Sequence, residues 1–468
     1  MFLPKPDSTN SQTFYNFLST VISSGVAFIT MPAFTRLLGA GQFGLYSIYT
    51  SWLAILVCIM GLNVKAGLGA GYYRFDGDYY GFRSSTLVEG SVICIIITAV
   101  LLIFNAPLRK ALGYPALPFI FLILESFAQY VLNFANLSWV YEKHAARNMS
   151  LSLATLILTT SLSIFLLLNW GGPKEHLYYA RVLGAALPQI SLAAFIWGFL
   201  FREKKCGYNP IYWKYSLAFG VPMVFHTLSH QVLSQSDRIM MQMYSIGDVE
   251  IGVYSFFYSF SGILSVLLSA LNNSWCPFLY DDLSRKAFSV LNSKVSNYVQ
   301  IFTILCCGFL MVSREFAKAF TGSEYWAGMP IIPVFVLVAY CTFFYQFAVN
   351  YELYHAKPRI VAAGTIIAAL TNIVFNAILI PPYGMYGAAA ATLLSYIALA
   401  SMHTFIVTTW KGEKYPLSYR PVAKGALTVA LFCAFYYLLS GLAAVRWAIG
   451  ILLGLYLVWS VYHRKTIF

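Results

Sequence analysis

Charge is what this chain has least of: only 10% of its 468 residues are Asp, Glu, Lys or Arg, while 59% are hydrophobic. A soluble domain carries roughly a quarter charged residues, because a wetted surface has to be covered. That scarcity argues against a soluble enzyme or a soluble nucleic-acid binder, and the apolar content argues against a disordered chain. Acids are scarcer than bases, 17 against 30, leaving a net charge of +13. On a soluble protein such a surplus points to nucleic acid; on a membrane protein it marks the basic residues of cytoplasmic loops. The eight cysteines show no CxxC and no metal-ligand spacing, with Cys306 and Cys307 adjacent, and read as small hydrophobes. HExxH is absent, which removes support for zinc hydrolysis, and there is no Gly-Lys dipeptide, hence no Walker-type phosphate loop. Gly67-Leu68-Gly69-Ala70-Gly71 fails the GxGxxG pattern because Tyr72 follows. No cofactor and no metal is expected.

What the chain does have is long apolar runs. A membrane-crossing helix needs about 20 mostly apolar residues, and fourteen such stretches are expected: 14–36, 43–64, 86–106, 116–139, 150–170, 178–201, 215–236, 249–271, 296–316, 330–351, 359–381, 386–409, 421–440 and 443–462. The expected class is therefore all-α, a polytopic membrane protein. The seventh stretch carries His226 and His230 and the eighth is rich in Ser; helices that polar line a cavity or face protein, because lipid satisfies no polar group. The N-terminal segment has no short apolar core ahead of a small-residue cleavage site, so the first run is expected to stay as a helix. With a cytoplasmic N-terminus, 21 of the 30 basic residues fall on the inner side. That asymmetry places both termini inside and removes the reason to expect a nucleic-acid partner. Every loop is shorter than about 25 residues, too short for a nucleotide-binding domain.

Self-similarity follows. Gly44-Leu45-Tyr46-Ser47 recurs as Gly252-Val253-Tyr254-Ser255, 208 residues later, and Gly184-Ala185-Ala186 as Gly387-Ala388-Ala389, 203 residues later. Nearly equal offsets predict that spans 1–6 are repeated as 7–12, with two helices appended. The corresponding division is an N-terminal six-helix lobe over 1–201, a cytoplasmic linker over 202–214, a second six-helix lobe over 215–410 and two further helices over 411–468. Such parallel repeats put a cavity between lobes and suit alternating access. Pro32 and Pro222 interrupt the first helix of each repeat; membrane helices also carry proline without any such role.

The chain resembles a known family at these residues. They are Met31-Pro32-Ala33-Phe34-Thr35-Arg36-Leu37-Leu38-Gly39 and Phe43-Gly44-Leu45-Tyr46, then Gly220-Val221-Pro222, Asp237-Arg238-Ile239-Met240 and Ile251-Gly252-Val253-Tyr254. Asn376, Ile380-Pro381, Tyr383-Gly384-Met385-Tyr386-Gly387-Ala388-Ala389 and Thr392 complete the set. In order and spacing they are similar to the polysaccharide-biosynthesis flippases, for O-antigen or capsule repeat units, of the multidrug/oligosaccharidyl-lipid/polysaccharide exporter superfamily. The resemblance covers residues 14–410. It implies a V-shaped two-lobed transporter in the bacterial inner membrane that moves undecaprenyl-diphosphate-linked oligosaccharides outward, coupled to an ion gradient. It also implies membrane lipid as a contact, and polysaccharide polymerase and chain-length machinery as candidate partners. An ion-coupled multidrug or small-molecule antiporter of the same superfamily is the alternative. An enzyme is not expected, since Asp281-Asp282 is the only adjacent acidic pair and no third acid follows it.

A diphosphate-linked sugar needs cations for phosphate and amides or aromatics for hydroxyls. Arginine offers paired donors to phosphate, which singles out Arg36, Arg181 and Arg238 at span ends; interfacial anchoring is the plainer role. Asn133 and Asn136, and Asn372 and Asn376, each form a polar stripe suited to hydroxyls or to bonds between helices. Glu125, midway along the fourth span, is the leading candidate for ion coupling, with Asp237, His226 and His230 as further titratable positions. Glu89, nearer a helix end, is a lesser one.

Overall fold

The computed structural model describes residues 9–409 and 415–464. Lys5, Lys411, Lys414 and Lys465, which count toward the expected orientation, lie outside the described residues. Among those, every regular element is helical: α1 (Thr9–Ile59), α2 (Leu68–Arg74), α3 (Tyr79–Ile103), α4 (Asn105–Leu112), α5 (Ala116–Tyr141), α6 (Ala145–Leu168), α7 (Tyr178–Glu203), α8 (Pro210–Met243), α9 (Asp248–Ser261), α10 (Ile263–Ser284), α11 (Phe288–Phe320), α12 (Ile332–Tyr354), α13 (Pro358–Thr409), α14 (Arg420–Leu438) and α15 (Ala443–Arg464), with short 3₁₀ turns between some of them. Helices are what hydrocarbon permits, since each satisfies its own backbone. Eleven helical stretches among the described residues are long and apolar enough to cross a membrane.

Two helices are longer than one crossing. At 1.5 Å per residue, the 52 residues of α13 would reach roughly 78 Å, far beyond a bilayer core of about 30 Å. Each is interrupted where the hydropathy pattern places a junction between spans: α1 at Gly39 (φ 69°, ψ 167°) and α13 at Gly384 (φ 52°, ψ −129°). Gly384 has a backbone that only glycine adopts readily. The N–H of Met385 beyond it donates to Glu250 Oε1 at 2.7 Å, which satisfies an orphan donor of the restarted helix. Helix α8, 34 residues with Pro222 inside, is not among the eleven. Its Ser, Thr, His and Gln residues dilute its apolar character.

Two compact units emerge from the packing, and the division falls within α8, between Ile239 and Met240. The first is built chiefly on α1, α3, α5, α6 and α7. Close approach of α6 and α7 explains the Gly184-Ala185-Ala186 run: a Cβ on Gly184 would lie 2.4 Å from the Ser163 Cα. Most of α8 belongs to this unit, held by a hydrogen bond from Ser216 to Glu89 and by Ser51 Oγ donating to Gln235 at 3.0 Å. Buried Arg83 of α3 draws together the ends of α5 and α7, pairing with Glu142 at 2.9 Å and Glu203 at 2.6 Å. A third donor bond reaches the Leu200 carbonyl at 3.1 Å.

The second unit packs α12 against α13 and α11 against α14 and α15. Its core is aromatic, with Trp275, Tyr298, Phe302, Phe343 and Phe347 in successive ring contacts. Arg446 of α15 is buried and pairs with Glu315 of α11. His403 of α13 pairs with Glu352 of α12 at 2.9 Å, both fully buried. All eight cysteines are free thiols.

The break at Gly384 gives a direct check. A Cβ there would sit 2.1 Å from Glu250 Oε1, whereas one at Gly198 meets nothing within 4 Å. Gly384→Ala is expected to destabilise the protein by about 1–3 kcal/mol, and Gly198→Ala, in α7, to be neutral or stabilising by up to about 1 kcal/mol. Thermal unfolding of both variants in detergent measures the difference.

Candidate functional site

Three helices of the first unit present polar side chains to one space. On α1, Tyr46 and Thr50 are four residues apart, with Leu53 and Ala54 a turn further on; on α5, Glu125 and Gln129 are four apart; on α7, Arg181, Ala185 and Gln189 repeat at four. With Thr159 of α6 these residues line a cavity of about 240 Å³. The spacing puts each set on one helical face.

Glu125 is 2% exposed. The Tyr49 hydroxyl donates to its Oε2 at 2.6 Å, Gln189 Nε2 donates to its Oε1 at 2.8 Å, and Gln129 Nε2 approaches Oε1 at 3.4 Å. Neutral donors thus surround the acid, and no cation pairs with it among the described residues. Across the same cavity, the Arg181 guanidinium lies over the faces of Phe34 at 3.9 Å and Tyr46 at 5.0 Å. It donates to Ser163 Oγ. A guanidinium has five N–H donors, and stacking on rings orients it without neutralising it. An acid and a base therefore face one cavity, within Coulombic range of one another but not paired.

The remaining expected residues lie elsewhere. Arg36 is exposed on α1. Arg238 is 5% exposed on α8 and donates to the Ser234 carbonyl and to Gln235 Oε1, each at 3.1 Å; Asp237 beside it in sequence is fully buried. His226 is half-buried and His230 exposed on the same helix. Asn133 is exposed and Asn136 half-buried on α5, and neither lines the cavity. In the second unit Asn376 Nδ2 donates to Asn372 Oδ1 at 2.9 Å, and both are buried. The structure thus brings Glu125 and Arg181 to one site. Tyr46, Tyr49, Gln129 and Gln189 belong to that site and are not among the site residues expected from sequence; Tyr46, Gln129 and Gln189 stand four residues from Thr50, Glu125 and Ala185, a spacing open to reading, whereas nothing in the sequence marks Tyr49.

The repeat supplies an internal control. At the repeat offset of 208 residues, Tyr49 corresponds to Phe257, which is fully buried. At the offset of 203, Gln189 corresponds to Thr392, whose hydroxyl lies 3.5 Å from that of Tyr254. The Tyr254 ring packs edge-on against Phe335 at 5.5 Å. At these two offset positions the second unit carries a phenylalanine and a threonine in place of the hydroxyl and amide that reach Glu125.

The fold is that of a polytopic membrane protein. A profile of the polysaccharide biosynthesis protein family matches residues 11–281, and the chain belongs to that family, within the exporter superfamily that its motifs resemble. Among its relatives is the probable low-salt glycan biosynthesis flippase Agl15 of Haloferax volcanii, 21% identical over 96% of this chain and 94% of the relative. Lsg locus putative protein 1 of Haemophilus influenzae is 23% identical over 79% and 93%. In fold the chain is similar to the lipid II flippase MurJ in an inward closed conformation, with a TM-score of 0.73 and 16% identity over 97% of this chain and 98% of that one. An inward-facing multidrug resistance transporter of the MATE family follows at TM-score 0.59 and 13% identity, over 92% and 97%. The family and these structural neighbours are transporters rather than enzymes.

The bond from Tyr49 to Glu125 is testable by unfolding. Tyr49→Phe leaves one Glu125 oxygen without its hydroxyl donor and is expected to cost about 1–3 kcal/mol. Adding Glu125→Leu removes the stranded acid, so the double variant should regain part of that loss. A coupling of about 0.5–3 kcal/mol in a double-mutant cycle of thermal unfolding confirms the interaction; additive losses contradict it.

Proposed function

We propose that this protein is a flippase that carries undecaprenyl-diphosphate-linked oligosaccharide repeat units from the inner to the outer leaflet by alternating access, for O-antigen or capsule assembly. The observation that carries the reading is the polar cavity of the first unit, where an arginine held between two aromatic rings faces an acid that no cation neutralises. A transporter for a lipid-linked diphosphate has to shield two kinds of polar group from hydrocarbon while the lipid tail stays in the bilayer. Arg181 offers donors to phosphate. Tyr46, Thr50, Gln129 and Gln189 offer a ring face, hydroxyls and amides suited to sugar. Glu125 is placed to accept a proton and so to couple movement to an ion gradient.

The proposed architecture is fourteen spans, with six-helix lobes over 1–201 and 215–410 and two further helices, in a bacterial inner membrane with both termini cytoplasmic. Arg36, Arg238, Asp237, His226, His230 and the two asparagine pairs remain proposed contacts or titratable groups of the transport path. Polymerase and chain-length machinery are the proposed partners. The second reading is an ion-coupled multidrug antiporter. The MATE-family fold likeness and the acid in the cavity favour it, while an unneutralised arginine in the same cavity disfavours an organic cation.

Deletion of the gene is expected to leave lipid-linked repeat units facing the cytoplasm and to remove the surface polymer. Complementation with Glu125→Gln or Arg181→Gln, at matched expression, should restore polymer at least about tenfold less well than the unaltered protein, the scale of one lost charge-assisted hydrogen bond. Arg36→Ala tests the exposed arginine in the same assay. Unchanged surface polymer in the deletion strain contradicts the flippase reading.

A further inference from the structure

The acid and the base of this cavity carry one inference more, which rests on the flippase reading. Arg181 is fixed by Ser163, Phe34 and Tyr46, so its geometry is settled before any ligand arrives. Most of its five donors are left for an incoming anion. Glu125 is fixed in the same way by Tyr49, Gln129 and Gln189. The titratable and charged groups facing Glu125 are Tyr46 and Tyr49 of α1 and Arg181 of α7, with Tyr114, ahead of α5, next to Tyr49. From α6 the cavity receives the hydroxyl of Thr159. Arg181 is therefore the one cation facing the acid from these helices.

A space of about 240 Å³ cannot hold a phosphate on Arg181 without bringing its charge close to the carboxylate. For unit charges roughly 8 Å apart at an effective dielectric constant of about 20, Coulomb repulsion weakens binding about thirtyfold. A proton on Glu125 abolishes that repulsion and turns the carboxyl into a donor. We propose that this cavity is a phosphate-group site that takes up its anion together with one proton, the anion on Arg181 and the proton on Glu125. Proton and anionic substrate then bind with positive linkage, so that each raises the affinity for the other.

The probe is geranyl diphosphate, a short prenyl diphosphate, added to the purified full-length protein in detergent. Its affinity should fall by about thirtyfold as rising pH strips the proton from Glu125. Glu125→Gln, neutral at every pH, should hold the tighter affinity throughout, and Arg181→Gln should bind weakly throughout. Arg181→Lys keeps the charge and should recover part of the binding, which separates loss of the cation from loss of the fold. In lightly buffered solution the unaltered protein should take up protons as the probe binds. The sign is informative, because an arginine acting alone draws protons off a partly protonated diphosphate and would release them.

Two results overturn the proposal and separate it from the broader reading. Arg181-dependent binding with the same pH profile in Glu125→Gln, or with proton release, removes the linkage and leaves the flippase reading intact. Binding that Arg181→Gln does not change removes the phosphate site itself.

Discussion

The cost of an unmatched charge in hydrocarbon governs this structure. An ion brought out of water has to find a partner or a cavity, and the few ions of this chain show both solutions. Arg83 is fully buried and matched by Glu142, Glu203 and a carbonyl. Arg446 is matched by Glu315 and by the carbonyls of Leu439 and Ser440 at the turn between α14 and α15. Both tie helix ends together. Glu125 and Arg181 differ: each is held by neutral neighbours, and they face one another across a cavity. This acid and base face a cavity that something can enter and leave.

The two units make the contrast sharper. The short sequence repeats fall in both units, at Gly184-Ala185-Ala186 and Gly387-Ala388-Ala389. Yet the positions of Tyr49 and Gln189 become Phe257 and Thr392 in the second unit, where rings pack against one another. An aromatic core costs nothing in desolvation and suits a structural lobe. The polar site of the first unit carries a buried acid at a desolvation cost, which is what a functional site looks like in energetic terms. Buried ions also persist in the second unit, in the Glu352–His403 pair, but there acid and base meet directly at 2.9 Å.

Much of the fold was legible from hydropathy, because the bilayer imposes a length and forbids exposed backbone. The expected junctions around 37–42 and 382–385 coincide with the glycine breaks at Gly39 and Gly384, since a residue that tolerates positive φ is conspicuous between two apolar runs. The polar character of the seventh span is equally visible in α8. The site was legible only in part. Glu125 and Arg181 stand out as rare charges, and rarity within a span is itself a signal. Tyr49 and Gln189 do not, because a chain with 34 tyrosines gives no reason to prefer one, and only packing shows whose hydroxyl reaches the acid. Which span-end arginines face a cavity depends on helix rotation, and periodicity alone does not place the second and third helices of a contact. Arg36, exposed on α1, and Arg181, lodged between two rings, look equivalent in sequence for that reason.

The proposed function is movement of a diphosphate-linked oligosaccharide across a bilayer through the Arg181 cavity. Reconstitution into vesicles loaded with a defined undecaprenyl-diphosphate-linked oligosaccharide, read by a sugar-specific reagent confined to one leaflet, measures that movement directly. The unaltered protein should transfer the lipid between leaflets, and Arg181→Gln should abolish the transfer. Vesicles in which the labelled fraction is the same with and without the protein, alongside movement of a drug-like cation, would contradict it.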